Sequence, residues 1–130
     1  MALNSLQKNS PLAPHLALGK KGEELAEKFL KNLGYNILGR NVRFKRDEID
    51  IIAKDMVDDV IVFVEVKARA RYSEDFLPAA NAGYKKWRKL HRAAHQWVAQ
   101  KKYEGGWRID LVSVAEGKVI EHTKEIGSWF

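Results

Sequence analysis

Two charged residues, Glu65 and Lys67, interrupt the end of the most apolar run in the chain, Val60–Val66. The run is rich in β-branched residues, which predicts a central strand that is covered on both faces. Because side chains alternate along a strand, both charged residues point to the same face as Phe63. A charged group beside a core strand is costly unless it is paired or bound to a metal ion. We therefore expect a compensating partner near Glu65.

Asp50 is the expected neighbour of Glu65, because the hairpin between their strands fixes which residues face each other. A four-residue loop over 56–59 pairs Asp55 with Val60. Counting back along both strands then places Asp50 directly opposite Glu65. Opposed residues on one sheet face have Cβ atoms about 4.5–5.5 Å apart, and two carboxylates at that separation repel. The pair therefore predicts a cation between them.

The chemistry of this cluster favours a hard divalent cation. Two carboxylates with neighbouring oxygens suit Mg²⁺ or Mn²⁺, and such an ion activates water and stabilises charge on a phosphate group. Lys67 is placed to hold that water or to neutralise the developing charge. The alternative is a salt-bridge cluster of Asp50, Glu65 and Lys67 at the end of the sheet. Because the acids outnumber the lysine, the metal site is the favoured interpretation.

Two helical segments supply one further acid and one further lysine. The apolar spacing from about Leu16 to Leu33 predicts a first helix, and Glu23 lies at the edge of its apolar stripe. Glu23 could reach over the sheet, or it could complement the helix dipole in the first turn. A second helix is expected from about Pro78 to Lys101, with Lys86 at the border of its apolar stripe. Lys86 is therefore placed to reach a site over the sheet.

The charge balance points to a polyanionic partner. The formal net charge is +6 and the sequence pI is near 9.5, and Lys and Arg displace the counterions that condense on phosphates. Basic residues are concentrated in 85–92, with no acid among them, and again in 40–46. For both clusters the alternative is a solvated surface.

Composition excludes several other classes of protein. The absence of cysteine excludes a disulfide scaffold, a thiol nucleophile and zinc sites that need thiolates. The four histidines lack metal-ligand spacing and are expected at the surface, and Ser73 and Ser113 lie in no nucleophile-elbow pattern. We expect Asp110 to pair with a neighbouring arginine. No stretch is apolar and long enough for a signal peptide or a membrane span, so we expect a cytoplasmic protein without a membrane partner.

The predicted elements run in the order α-β-β-β-α-β-β. This order favours an α/β fold with a mixed central sheet of about five strands flanked by helices. We expect residues 1–14 to form a flexible N-terminal tail and residues 15–130 a single domain. No GxGxxG or GxxxxGKS loop is present, so a nucleotide-binding fold is not expected.

An ordered series of motifs resembles the YraN family. The motifs are Gly19-x-x-Gly22-Glu23-x-x-Ala26, Gly34-Tyr35, Arg40-Asn41-x-Arg43, Glu48-Ile49-Asp50-Ile51-Ile52-Ala53, Val62-Phe63-Val64-Glu65-Val66-Lys67-x-Arg69, Pro78, Lys86-x-x-x-Leu90-x-x-Ala93 and Arg108-Ile109-Asp110. The family has a restriction-endonuclease-like fold related to archaeal Holliday-junction resolvases and to the wider PD-(D/E)XK nucleases. The resemblance covers roughly residues 16–126.

The resemblance implies roles for particular residues. Asp50, Glu65 and Lys67 would match the nuclease D…E-x-K core, and Glu23 would match a glutamate of the first helix. Catalytic roles would fall to Glu23, Asp50, Glu65 and Lys67, and metal ligands would be Asp50, Glu65, the Val66 carbonyl and Glu23, directly or through water. Nucleic acid would be bound by Arg43, Arg69, Lys85, Lys86, Arg88, Lys89 and Arg92. Asp47 stands where the family usually has glycine, which alters the turn into the strand and adds a negative charge.

Two functions from different classes follow. The first is an Mg²⁺- or Mn²⁺-dependent endonuclease (a hydrolase) acting on DNA, with branched or junction DNA as the expected substrate. Symmetric junction cutting needs two active sites, so a homodimer is a further expectation. The alternative is a non-catalytic nucleic-acid-binding module that keeps the same fold.

Overall fold

The structure is a computed structural model that describes residues 14–72 and 84–126. Within these residues, two helices and five strands follow one another in the predicted order. They are α1 (Pro14–Asn32), β1 (Asn36–Phe44), β2 (Asp47–Asp55), β3 (Val60–Arg69), α2 (Tyr84–Lys101), β4 (Trp107–Ala115) and β5 (Lys118–Thr123). Residues 1–13 of the predicted tail, the start of the second helix at Pro78, and Ser73 lie outside the described residues. Pro14, the last residue assigned to the tail, belongs to α1.

The five strands form one mixed sheet, as predicted, in the order β1-β2-β3-β4-β5. β3 and β4 are parallel, and the other neighbouring pairs are antiparallel. β3 and β4 are therefore joined by a crossover that contains α2, whereas hairpins join the antiparallel strands. No helix in the described part of the chain is long and apolar enough to cross a membrane.

The sheet is covered on both faces, which confirms the prediction for β3. Ile61 and Phe63 pack in a cluster with Trp87 and Leu90 of α2. On the other face, Val62 and Val64 pack with residues of α1 in a second cluster, which includes Ala26 and Leu30. The continuous apolar run of β3 follows directly, because each face of this strand is buried.

α1 lies close against the end of β3 because of Gly22. A Cβ atom at this position would lie 2.6 Å from the Cβ atom of Ala68, which is closer than two carbon atoms can approach without a shift. The glycine therefore fixes the distance between the helix and the strand. It also fixes the place of the next residue, Glu23, relative to the sheet.

The hairpin between β2 and β3 has the predicted register. Asp55 pairs with Val60, and Ile51 pairs with Val64. The Asp55 carboxylate explains why the loop has this length, since its Oδ1 atom accepts hydrogen bonds from the backbone amides of Val57 and Asp58 at 3.0 and 3.2 Å. Such an Asx turn closes a tight loop through the side chain that precedes it.

Two details of α1 differ from the sequence-based expectation. The helix begins at Pro14, two residues before the predicted start, because proline suits the first helical position, where its missing N–H is not needed. Leu33, which the spacing assigned to the apolar stripe, is 47% exposed. The helix ends at Asn32 and the chain turns away at Gly34, whose φ of +91° is the left-handed conformation that glycine adopts readily after a helix.

Candidate active site

The sheet opens into a fork where β2 and β3 separate. Their ladder ends at the pair Ile51–Val64. Beyond it, residues 47–49 of β2 pair with β1, and residues 65–69 of β3 pair with β4. The backbone amide of Val66 donates instead to Oδ2 of Asp50 at 2.8 Å. Because the N–H and C=O of one strand residue face the same neighbour, the Val66 carbonyl also points into the fork.

Asp50 and Glu65 meet in this fork. The ladder between β2 and β3 ends one pair before these residues, and the two carboxyl groups contact each other across the opening, so the predicted proximity is observed without the predicted strand pairing. Burial and then the negative charge of Glu65 raise the pKa of Asp50 to about 8, although the hydrogen bond from the Val66 amide opposes the shift. In the absence of a cation, the pair therefore holds a proton at neutral pH.

Lys86 reaches the fork from the first turn of α2. Its Nζ atom lies 2.7 Å from Oε1 of Glu65, which places the lysine where its position at the stripe border predicted. The Glu65 side chain is 12% exposed and that of Lys86 is 48% exposed. The carboxylate is thus held inside the site while the stem of the lysine remains in solvent.

Lys67 belongs to the same cluster of charges. Burial lowers the pKa of its ammonium group, the positive charges of Arg69 and Lys86 lower it further, and the negative charge of Glu65 opposes them. These interactions place Lys67 within electrostatic reach of the fork, on the face that alternation predicted. Its catalytic role stays a prediction.

Glu23 lies near the fork but is engaged elsewhere. Its Oε1 atom is 3.4 Å from Nη2 of Arg40, and its charge contributes to the raised pKa of Asp50. Across 14–72 and 84–126, no group of three or more histidine, aspartate or glutamate side chains is arranged to hold a metal ion. The structure therefore gives Glu23 an ion pair with Arg40, and it does not assemble the three-carboxylate ligand set that includes Glu23.

A cavity of about 150 Å³ opens beside the Glu65–Lys86 pair. It is lined by Arg46, Asp47, Glu48, Glu65, Lys86, Lys89 and Leu90. The volume is that of a few water molecules, and most of the lining groups are charged. Such a space suits a hydrated ion or a phosphate group rather than an apolar ligand.

Arg92, one of the predicted nucleic-acid contacts, is paired with an acid of the protein. Its Nε and Nη2 atoms both lie 2.7 Å from the carboxylate oxygens of Asp47. This bidentate bond lowers the pKa of Asp47, whose side chain is almost fully buried. The Arg92 guanidinium is therefore paired with Asp47. The negative charge that Asp47 carries, where the family usually has glycine, is neutralised within the protein.

The other predicted nucleic-acid contacts differ in what the structure shows of them. Arg43 is exposed and forms a surface ion pair with Glu48 at 3.4 Å. The side chains of Arg69, Arg88 and Lys89 are exposed, and that of Lys85 lies outside the described residues. Nucleic-acid binding by these residues stays a prediction.

A second group of buried charges lies towards the hairpin-loop end of the sheet. Arg108 bonds Asp55 at 3.0 Å and Asp110 at 2.9 Å, and its Nη2 atom donates to the Tyr35 hydroxyl at 2.7 Å. The prediction that Asp110 pairs with an arginine is confirmed. His122, expected at the surface, instead has a side chain only 9% exposed, with its Nε2 atom 2.8 Å from Asp110. The alternation of β5, which turns this histidine towards Asp110, was the available signal for this contact.

Comparison with known proteins places the chain in a family. The profile described as "Uncharacterised protein family UPF0102" matches residues 22–114. The chain belongs to the UPF0102 (YraN) family. A UPF0102 protein of Kosmotoga olearia is 40% identical over 116 residues, which cover 88% of this chain and 96% of that one. A UPF0102 protein of Thermotoga maritima is 44% identical over 108 residues, with 82% and 94% of the two chains covered.

Among solved structures, the chain is similar to the protein of an EndoMS–dsDNA2 complex. The sequence identity is 18% and the TM-score is 0.41. The match covers 72% of this chain and 37% of that chain. The family match spans Glu23, the fork and Lys86, so these features lie within the part shared with UPF0102 relatives.

Proposed function

We propose that this protein is a divalent-metal-dependent endonuclease that hydrolyses phosphodiester bonds in DNA. The observation that carries the proposal is the close pair of carboxyl groups, Asp50 and Glu65, at the fork, where burial and the charge of Glu65 raise the pKa of Asp50 to about 8. A fold gains nothing from holding two acids so close unless a cation or a proton lies between them.

The donor groups at the fork fit Mg²⁺ or Mn²⁺. Asp50, Glu65 and the Val66 carbonyl offer oxygen atoms only, and these ions prefer oxygen ligands with several positions left to water. The raised pKa of Asp50 supports the same assignment, because a bound cation would offset both its burial and the neighbouring negative charge of Glu65. When bound, the ion would activate water and stabilise charge on the phosphate.

The remaining groups have tasks that follow from their positions. Lys67, on the same face as Glu65 and with a lowered pKa, would orient the attacking water and stabilise negative charge that develops on the phosphate. Glu23 would hold Arg40 beside the fork, where the guanidinium can meet a flanking phosphate. Each task uses a charge that the fold already fixes in place.

The substrate is proposed from charge and from the shape of the site. The exposed lysine and arginine side chains around the cavity suit a phosphate backbone, which gives affinity without sequence readout. A protein without base-specific contacts would select DNA by shape, and branched or junction DNA is therefore the proposed substrate. A homodimer would present two forks to such a junction.

The activity is tested with purified protein, Mg²⁺ or Mn²⁺, and labelled junction, flap and linear duplex DNA. We expect cleavage of at least one substrate by the natural chain and loss of at least 100-fold in rate for Glu65→Gln. Glu48→Gln is the matched control, since Glu48 is an acid of the same cavity that pairs with Arg43 on the surface. Equal rates for the natural chain and Glu65→Gln, or no cleavage with either metal, would refute the proposal.

One observation favours the alternative, a nucleic-acid-binding module without catalysis. Lys86 already neutralises Glu65 at 2.7 Å, so the fork could be a salt-bridged end of the sheet. That alternative predicts DNA binding that is sensitive to salt but indifferent to chelators and to Asp50→Asn. The two functions are separated by the melting temperature. Mn²⁺ raises it in the natural chain but not in Asp50→Asn if the fork binds metal, because a ligand of the native state stabilises that state.

A further inference from the structure

The contact between Lys86 and Glu65 joins a fixed group to a movable one. Glu65 lies on β3, paired with β4, and its side chain is almost enclosed. Lys86 lies in the first turn of α2, and its long flexible stem is half exposed. If another cation enters the fork, the lysine is the partner that can leave at low cost.

A divalent cation at the fork would compete with the lysine for the same carboxylate. Oε1 of Glu65 already accepts a charge-assisted hydrogen bond of 2.7 Å from Lys86. A cation bound by Asp50 and Glu65 would draw on that oxygen and would also place positive charge within a few ångströms of the ammonium group. Like charges at such a separation repel strongly in a partly buried site. The lysine and the metal ion therefore cannot both hold Glu65 in the same way.

We propose that Lys86 is a resident cation that holds Glu65 in the metal-free protein and gives way when a divalent cation binds. The inference rests on the proposed metal-dependent function and adds a positioning role for this lysine. The site keeps one positive partner for Glu65 at every stage, first the ammonium group and then the metal ion. Once released, the ammonium group faces the cavity it shares with Arg46 and Lys89, where it can meet a phosphate of the substrate.

The inference predicts the opposite sign from a simple anchoring role. If Lys86 only orients Glu65 for the metal ion, its removal weakens metal binding or leaves it unchanged. If Lys86 competes with the ion, its removal strengthens metal binding. The expected change is about two- to tenfold in Kd, since the competing ion pair is half exposed to solvent.

The experiment measures Mn²⁺ binding without any substrate, by titration calorimetry and by the electron paramagnetic resonance signal of free Mn²⁺. The test variant is Lys86→Met, which keeps the length of the side chain without its charge, and Lys86→Arg keeps the charge. Lys89→Met is the matched control, because Lys89 lines the same cavity and has no salt bridge among the described residues. Asp50→Asn identifies which binding event belongs to the fork.

Tighter Mn²⁺ binding in Lys86→Met, with Lys86→Arg and Lys89→Met close to the natural chain, supports the inference. Unchanged or weaker binding in Lys86→Met overturns it, and so does equal tightening in Lys89→Met, which would indicate a general effect of charge. If neither the natural chain nor Lys86→Met binds Mn²⁺ in a manner that Asp50→Asn abolishes, the metal-dependent function itself fails. Circular dichroism of each variant verifies that the fold is intact.

Discussion

Carboxyl groups lie at two ends of the same sheet, and their pKa values shift in opposite directions. At the hairpin-loop end, burial raises the pKa of Asp55, but hydrogen bonds from Arg108 and from two loop amides outweigh it and lower the pKa to about 2. At the fork, burial and Glu65 raise the pKa of Asp50 to about 8. In the first region charged and backbone donors outweigh burial, whereas in the second the single backbone amide that bonds Asp50 does not outweigh burial and the charge of Glu65.

The comparison separates stability from function. A buried charge network with matched partners is a structural device, because every group in it is compensated. A buried acid pair with too few donors destabilises the fold and is retained only where a bound cation or a reaction uses it. The fork is therefore the end at which we propose the function, and the network around Arg108 is the end that we expect to contribute to stability.

The largest expected effect is on the structural end. Arg108→Met removes the common partner of Asp55 and Asp110 and leaves two buried carboxylates without their cation. We expect the free energy of unfolding to fall by about 3–5 kcal/mol, as for other buried ion pairs that lose one partner. Urea denaturation measures it. A loss below about 1 kcal/mol would show that the network is not what holds this end of the sheet.

The next effect concerns the contact that positions α1. Gly22→Ala places a methyl group 2.6 Å from the Cβ atom of Ala68, so the helix or the strand must move. We expect a loss of about 1–3 kcal/mol in the free energy of unfolding and weaker cleavage, because Glu23 moves with the helix and its ion pair with Arg40 of β1 is disturbed. Gly19→Ala is the matched control, since a Cβ atom there has nothing within 4 Å. Equal losses in both variants would contradict the role given to Gly22.

The raised pKa of Asp50 predicts that the free energy of unfolding depends on pH. Unfolded Asp50 ionises near its ordinary pKa of 3.8, and folded Asp50 ionises near 8. Between these values the folded state binds the additional proton, so the free energy of unfolding falls as the pH rises from about 4 to about 8. Asp50→Asn removes this contribution, and its stability relative to the natural chain should increase towards pH 8, on the order of 1–2 kcal/mol.

Urea titrations of both chains at several pH values, without metal ions and with chelator, measure this difference. Mn²⁺ should flatten the pH dependence of the natural chain, because the ion replaces the proton between the carboxylates. If the free energy of unfolding of the natural chain and of Asp50→Asn changed equally with pH over this range, the raised pKa of Asp50 and the contrast between the two ends would be contradicted.

Part of the arrangement at the fork could be predicted from the sequence. That part depends on turn length and on side-chain periodicity within single elements. The register of β2 on β3 depends on a four-residue loop that Asp55 closes, so counting across the turn places Asp50 opposite Glu65. The helix stripe likewise fixes Lys86 at its border. These predictions rest on periodicity and turn length, which act over a few residues.

The missed contacts join elements that are far apart in the chain. Arg92 and Asp47 are 45 residues apart, and their bond depends on how α2 lies across β2, which no local pattern specifies. His122 reaches Asp110 because β4 and β5 pair with a register shift between Ser113 and Val114. A shift of this kind changes which side chains become neighbours without changing the apolar pattern.

The smallest expected effect concerns two basic residues of α2. It tests whether a side chain already paired with a carboxylate and one exposed beside the cavity contribute differently to nucleic-acid binding. Arg92 is held by two bonds to Asp47, whereas Lys89, one turn earlier on α2, is exposed beside the cavity. We expect Lys89→Met to lower the salt dependence of DNA binding by about 0.7–0.9 in log Kd per log salt, the value for one phosphate contact. Arg92→Met should leave that slope unchanged, since its charge is already neutralised by Asp47. Fluorescence anisotropy at several salt concentrations measures both slopes, and a larger change for Arg92→Met would show that DNA displaces Asp47 and that a paired cation can still serve the substrate.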